Sequence, residues 1–270
     1  MTDTPKKTVR IDKLLAREGY SSSREKAKRE IMAGNVYVDD QLVDKPGTRV
    51  NSDSEIDIRR PGPRYASRGG VKLEKALEAF NVVPKGKSAI DVGASTGGFT
   101  DCLLRSGAKS VCALDVGKGQ LDWNLRNDER VEVREGVNAR YITPQDFDRK
   151  FDLGTIDVSF ISLELIIPPV SEVITSEGLL VVLVKPQFEA GPDKVERGGV
   201  VSDPQVHAEV LRAVASVGQK NGLPLVDSIY SPITGKASNN IEYFLYFDRN
   251  KNPRSIDFPS LVREAQSNLT

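Results

Sequence analysis

Apolar side chains recur along this chain with one rhythm before residue 60 and another after residue 68. In the first stretch, Ile11, Leu14 and Leu15 share one helical stripe that Gly19 ends. Ser22 and Glu25 have capping-box spacing and open a second helix, with Ala27 and Ile31 inward and Gly34 as its stop. Residues 36–38 and 41–43 read as short strands about Asp39-Asp40, and residues 55–58 alternate as another. The run Arg59-Arg60-Pro61-Gly62-Pro63-Arg64 has the composition of a linker. Beyond it, Leu73, Ala76, Leu77 and Phe80 have helical spacing. Strands are expected at 89–92, 111–115, 131–134, 153–158 and 179–184, and helices at 100–106, 163–175 and 205–219. Two late strands, 226–230 and 241–247, complete the pattern. Apolar strands alternating with helices predict an α/β fold with a mostly parallel sheet covered on both faces. The domains expected are a small α+β one over 1–60, a linker over 61–67 and the α/β one over 68–270.

Charge adds to this picture. The formal net charge of the 270 residues is zero, which argues against a polyanion partner for the whole chain. Residues 1–68, however, carry 15 Lys and Arg against 11 Asp and Glu, and the remainder carries 23 against 27. Residues 6–29 alone hold nine basic and three acidic side chains, a segment able to contact phosphates in an otherwise neutral chain. Aromatics make up 6% of residues, so an extended stacking surface for single strands is not expected. Cys102 and Cys112 lie in apolar context and read as buried thiols. With a single histidine, His207, they offer no metal-ligand spacing, and no metal is expected. His207 and Trp123 read as packing or helix-surface residues. The amino terminus lacks the apolar core of a signal peptide, and the longest apolar run, 179–184, is too short to cross a bilayer. No membrane span and a cytoplasmic location are therefore expected.

Candidate chemistry begins at Ala89-Ile90-Asp91-Val92-Gly93-Ala94-Ser95-Thr96-Gly97-Gly98-Phe99-Thr100. In open parallel sheets ligands bind beyond the carboxyl ends of the strands, where this turn lies. Glycines admit a ligand close to the backbone, and a helix starting near Phe99 presents free N–H groups. The turn lacks the Lys-Ser/Thr pair of a triphosphate loop and does not fit G-x-G-x-x-G. Asp115 ends the next strand, 22 residues beyond Gly93, where a carboxylate accepts hydrogen bonds from both ribose hydroxyls. Asn138, after the third strand, stands where an adenine edge would be met. An adenosyl ligand held by Asp91, Gly93, Ser95, Thr96, Gly97, Gly98, Phe99, Asp115 and Asn138 is one reading; a tight strand–helix connection with a capping aspartate is the other.

Four charged residues fall at related places. Lys185 follows a buried strand and Asp157 ends its expected neighbour. Lys72 opens a helix after Ser67-Arg68-Gly69-Gly70, and Glu242 begins a late strand. A lysine at the end of a buried strand is costly unless paired or facing a cleft. Methyl transfer to a ribose hydroxyl needs an aligned, partly deprotonated oxygen, and a lysine serves as base where burial and a neighbouring cation favour its neutral form. Two surface salt bridges are the alternative.

These features resemble the TlyA family. The marks are Arg10-Ile11-Asp12-Lys13-Leu14-Leu15, Ser67-Arg68-Gly69-Gly70-Val71-Lys72-Leu73, Asp91 through Thr100, Asp157-Val158-Ser159-Phe160, Val184-Lys185-Pro186-Gln187-Phe188-Glu189 and Gly235 through Phe244. The first segment is similar to an RNA-binding domain of ribosomal-protein type, and the rest resembles Rossmann-like methyltransferases of the FtsJ/RrmJ class. The resemblance implies S-adenosyl-L-methionine as cofactor and ribosomal RNA or ribosomal subunits as partner. It implies 2′-O-methylation, at cytidine, by a Lys-Asp-Lys-Glu tetrad in the places of Lys72, Asp157, Lys185 and Glu242, with Lys185 as base. RNA contacts would come from Arg10, Lys13, Arg17, Arg24, Lys26, Lys28 and Arg29, which otherwise form a solvated helix face. A non-catalytic RNA-binding protein with a vestigial cofactor fold, or a membrane-active haemolysin, are the competing classes. The loop 190–203 reads as a lid or as disordered.

Overall fold

The computed structural model describes residues 8–59, 64–235 and 240–269; residues 60–63 of the expected linker lie outside them. The chain divides into two units at residues 63 and 64.

In the first unit, β1 (Thr8–Arg10) leads directly into α1 (Ile11–Arg17), and α2 (Arg24–Met32) follows. β2 (Val36–Val38), β3 (Gln41–Leu42), β4 (Arg49–Asn51) and β5 (Ile56–Ile58) come next. β3, β2 and β5 form a sheet in that order, and β1 pairs antiparallel with β4. Asp39 and Asp40 both take positive φ (49° and 62°), the conformation a two-residue hairpin turn demands. The helix cap is Ser23 rather than Ser22: its side chain accepts the Lys26 N–H. Ile11, Leu14, Leu15, Ala27, Ile31 and Val36 form the core.

Asp12 is fully buried and joins the starts of the two helices. Its carboxylate accepts from Arg10 Nε and Nη2 (both 3.1 Å) and from Arg24 Nε (2.9 Å). The Arg10 hydrogen bonds, opposed by burial, hold the carboxyl down to about 2. The folded state thus prefers the ionised form, and this stabilisation is present above the ordinary carboxyl range and lost as pH falls towards 2. Asp12→Asn is expected to cost the first unit roughly 1–3 kcal/mol at pH 7. Urea titrations at pH 7 and pH 3 check this: the gap to wild type should shrink at the lower pH, and an equal gap at both would contradict the ionic clamp.

The second unit contains α3 (Gly69–Ala79), β6 (Ser88–Val92), α4 (Gly98–Arg105), β7 (Ser110–Asp115), α5 (Trp123–Arg126), β8 (Val131–Glu135) and β9 (Phe151–Ile156). It continues through α6 (Ile167–Val173), β10 (Ile174–Val184), α7 (Pro186–Glu189), α8 (Pro204–Lys220), β11 (Leu225–Tyr230), β12 (Tyr243–Asp248) and α9 (Phe258–Leu269). Seven strands form one sheet in the order β11-β12-β10-β9-β6-β7-β8, and β12 alone runs against the others. One face packs Leu73, Ala76, Phe99, Leu103, Leu183 and Phe244 with α3 and α4. The other packs Val92, Val182, Ile167, Leu211, Tyr243 and Val262 with α6, α8 and α9.

Three local readings change. The expected helix 163–175 is a short 3-10 turn and then α6, because Pro168 and Pro169 suit only a helix's first turn, and the chain becomes β10 at Ile174. α9 was not anticipated, although Phe258, Val262 and Ala265 mark its buried stripe. Residues 65–67, read as linker, pack on the second unit: Tyr65 is buried, and Ala66 N donates to Asp101 Oδ2. Gly70 packs against Tyr65: a Cβ on it would fall 2.2 Å from the Tyr65 ring.

Candidate active site

The strand order reverses beside β6: the chain moves outward through β7 and β8, then returns to place β9 on the other side. Ligand crevices in open α/β sheets form at this switch point. Here Gly93 follows β6 and Asp157 follows β9. Gly93 has φ +84°, and a Cβ on it would lie 2.4 Å from the Asp157 carbonyl oxygen. The backbones of the two strand ends therefore touch, and a cleft of about 470 Å³ opens above them.

The cleft is lined by Gly93, Ser95, Asp115, Gln120 and Asn138, with apolar walls from Val116, Val137, Val158 and Ile166. Asp115 accepts the Ser95 N–H on Oδ2 (2.8 Å) and the Gly117 N–H on Oδ1 (2.7 Å). Each carboxylate oxygen keeps acceptor capacity for a ligand hydroxyl. Asn138 caps a short turn, its Oδ1 accepting the Arg140 N–H, which leaves its amide donors for the cleft. The remaining turn residues support the cleft without lining it. Thr96 is exposed and its carbonyl accepts the Asp122 N–H (3.3 Å). Gly97 is left-handed (φ +93°) above Leu121 and Leu125; Gly98 packs on Ser67; Phe99 is buried and stacks on Phe244. Asp91 lies wholly beneath, accepting from Thr100 Oγ1 (2.7 Å) and Thr155 Oγ1 (2.9 Å). Burial pushes its carboxyl up to about 7, against the pull of the two hydroxyls.

The four charged residues gather at one end of the sheet, beyond the carboxyl ends of β9 and β10. Val184 of β10 stands opposite Tyr243 of β12, so the antiparallel register continues to place Lys185 opposite Glu242. Val182 pairs with Ile156, so Asp157 is level with Leu183, on the face that Lys185 shares. Lys72 arrives on the same face from the first turn of α3. The result is two ion pairs. Lys72 Nζ meets Glu242 Oε2 at 2.5 Å, with side chains 11% and 4% exposed. Lys185 Nζ stands 2.5 Å from Asp157 Oδ1, with side chains 11% and 22% exposed, and donates to Ser159 Oγ at 3.0 Å. The Lys185–Asp157 contact is an ion pair on the buried Oδ1. Glu242 precedes β12 rather than starting it, its carbonyl held by the Ser231 N–H.

Sequence reading passed over three contributors. Ser159 holds the Lys185 amine. Phe160 is 90% exposed with φ +61°, an aromatic at the cleft rim beside Phe188. Glu189 accepts from Ser162 Oγ (2.8 Å) and the Leu163 N–H (2.9 Å), tying the Phe160 loop to the segment that carries Lys185. An exposed phenylalanine just past a strand's carboxyl end was the available signal. His207 is a packing residue as expected from its place in α8. Its Nε2–H faces the Val201 carbonyl, an obligate acceptor, so Nδ1 accepts the Tyr243 hydroxyl. Together with Asn240, which binds the Val201 N–H and the Gly199 carbonyl, it orders the segment read as a lid or as disordered.

In the first unit, Arg10 and Arg24 are engaged by Asp12, Arg17 by Glu18 and Lys28 by Glu25. Lys13, Lys26 and Arg29 are exposed and form no ion pair among the described residues. No helix of the described residues is long and apolar enough to cross a membrane.

Residues 65–249 match the FtsJ-like methyltransferase family, and residues 9–56 match the S4 domain. The 16S/23S rRNA (cytidine-2′-O)-methyltransferase TlyA of Mycobacterium tuberculosis is 44% identical over 239 residues, covering 88% of this chain and 89% of the relative. Hemolysin A of Brachyspira hyodysenteriae is 40% identical over 240 residues, covering 88% and 99%. A solved hemolysin-type structure from Streptococcus thermophilus superposes with a TM-score of 0.73 at 39% identity, covering 97% of each chain. The chain is thus a member of the TlyA family, an RNA methyltransferase of the FtsJ-like class preceded by an S4 domain.

Proposed function

We propose that this enzyme methylates the 2′ oxygen of a ribose in ribosomal RNA, at cytidine, with S-adenosyl-L-methionine as methyl donor. The observation that carries this reading is the pair of lysine–carboxylate contacts on one face at the carboxyl end of the sheet, beside a nucleoside-sized cleft. The donor set fits the cofactor: a diol-binding carboxylate at Asp115, amide donors at Asn138, apolar walls, and a glycine cradle that a Cβ on Gly93 would fill. Bound there, the cofactor supplies an electrophilic methyl group.

The protein's share is alignment and proton handling. Lys185, in its neutral form, takes the hydroxyl proton as the oxygen is methylated, and the Asp157 carboxylate stabilises the ammonium that results. Asp157 and Ser159 aim its amine. Lys72 and Glu242, nearly sealed from solvent, fix the opposite side of the acceptor and contribute no net charge as a pair. Phe160 presents a stacking face at the rim for an unpaired base. Lys13, Lys26 and Arg29, exposed in the first unit, offer cations to phosphates. The named target of the mycobacterial relative points to cytidine.

Mapping 2′-O-methyl groups on ribosomal RNA, with and without this protein, tests the reading. A cytidine site that disappears without the protein, and returns on adding the purified enzyme and cofactor, is the expected outcome. An unchanged ribose methylation map, or methyl groups on bases alone, would refute it.

A further inference from the structure

The cofactor-side wall of the cleft is built from a segment without regular structure. Residues 116–122 connect β7 to α5 and bring Val116 and Gln120 to the cleft beside Asp115. Such a loop holds its shape only if its backbone donors are satisfied. Here they converge on one side chain, Glu135, at the carboxyl end of β8. Its Oε2 accepts the Gly119 N–H (2.9 Å), and its Oε1 accepts the Gln120 N–H (3.2 Å) and lies 3.5 Å from the Leu121 nitrogen. Arg126 Nη2 adds a charged contact at 2.6 Å. These donors, the Gly119 N–H foremost, hold the carboxyl down to about 2, so it is ionised under working conditions.

The same loop is knitted to the glycine turn. Ser95 Oγ donates to Gln120 Oε1 (3.3 Å), Asp122 N donates to the Thr96 carbonyl (3.3 Å), and Leu121 fills the space beneath Gly97. Glu135 itself does not line the cleft. Its position one strand further out lets it act on the wall from behind. We infer that Glu135 is a positioning residue for cofactor binding, setting the wall formed by Asp115, Val116 and Gln120 against the nucleoside half of the ligand. The inference rests on the reading of this cleft as the S-adenosylmethionine site.

Calorimetric titration with S-adenosylhomocysteine and with 5′-methylthioadenosine, which lacks the amino-acid half, separates the possibilities. In Glu135→Gln an amide N–H₂ replaces one acceptor among four donors. Both ligands should lose affinity by the same factor, about tenfold. The turnover number at saturating cofactor and the KM for RNA should stay within about twofold of wild type. Gly119→Ala is a second test that leaves the carboxylate in place: φ is +70° with no atom within 4 Å of the new Cβ, so it loosens the loop by backbone strain alone. It should weaken both ligands in parallel. Unchanged affinity in both variants overturns the inference. So does a larger loss for S-adenosylhomocysteine than for methylthioadenosine with a proportional fall in turnover, which would mark general collapse of the site. If wild-type protein binds neither nucleoside, the cofactor reading itself has failed.

Discussion

Lys185→Met is expected to retain less than about one thousandth of the wild-type single-turnover methylation rate, within the range that a positioned proton acceptor contributes. Methionine keeps the length and the apolar stem of lysine and removes only the amine. The loss would therefore report proton handling rather than packing. Lys185 stands between Asp157 and Ser159 just past the end of β10 and is not among the residues lining the cofactor cleft. Affinity for S-adenosylhomocysteine should accordingly stay within a few-fold of wild type. Rapid-quench incorporation of labelled methyl groups at saturating RNA and cofactor, paired with a cofactor titration, gives both numbers. A variant that turns over at the wild-type rate would remove the amine from the chemistry, whatever its contacts.

Gly93→Ala should have an effect of similar size by a different route. The residue occupies the left-handed region, which costs an alanine about 1–2 kcal/mol. Its Cβ would also meet the carbonyl oxygen of Asp157 at 2.4 Å and the carbonyl carbon at 2.9 Å. Neither obstacle is a flexible side chain, so the ends of β6 and β9 must separate. Cofactor affinity is expected to fall by about 100-fold as the two contributions, strain and overpacking, combine. Gly86→Ala is the control, having nearly the same φ (+78°) and nothing within 4 Å of the added carbon. It should lower the melting temperature slightly and leave cofactor affinity alone. Equal losses of affinity in the two variants would show that backbone strain, not contact between the strand ends, sets the cleft.

The alternation of apolar strands with helices was enough to expect a doubly covered parallel sheet, because the crossover helices of such a chain cover both faces. It was not enough to foresee that β12 runs in the opposite direction, which depends on how β11 and β12 are connected. That reversal places Glu242 ahead of its strand and opposite Lys185. Lys72, Asp157, Lys185 and Glu242 were legible as charges at element ends; their sorting into two pairs was not, since pairing depends on sheet register. Gly93, Ser95, Asp115 and Asn138 line the cleft, whereas Gly97, Gly98 and Phe99 shape the turn from within. A glycine-rich string does not distinguish contact with a ligand from close packing of a helix. The dual engagement of Arg10 and Arg24 was invisible for a related reason, because Asp12 reads as an ordinary helix-surface acid until its burial is known.

Asp91 carries one more implication. Burial of this carboxyl beneath the glycine turn favours its protonated form, although the two hydroxyls that donate to it favour the ionised one. Burial raises it to about 7, so the folded state is favoured most in acid and loses that advantage as the medium passes from weakly acidic to neutral. An amide at this position would be free of that handicap. The acid thus ties the fold's heat tolerance to the acidity of its surroundings.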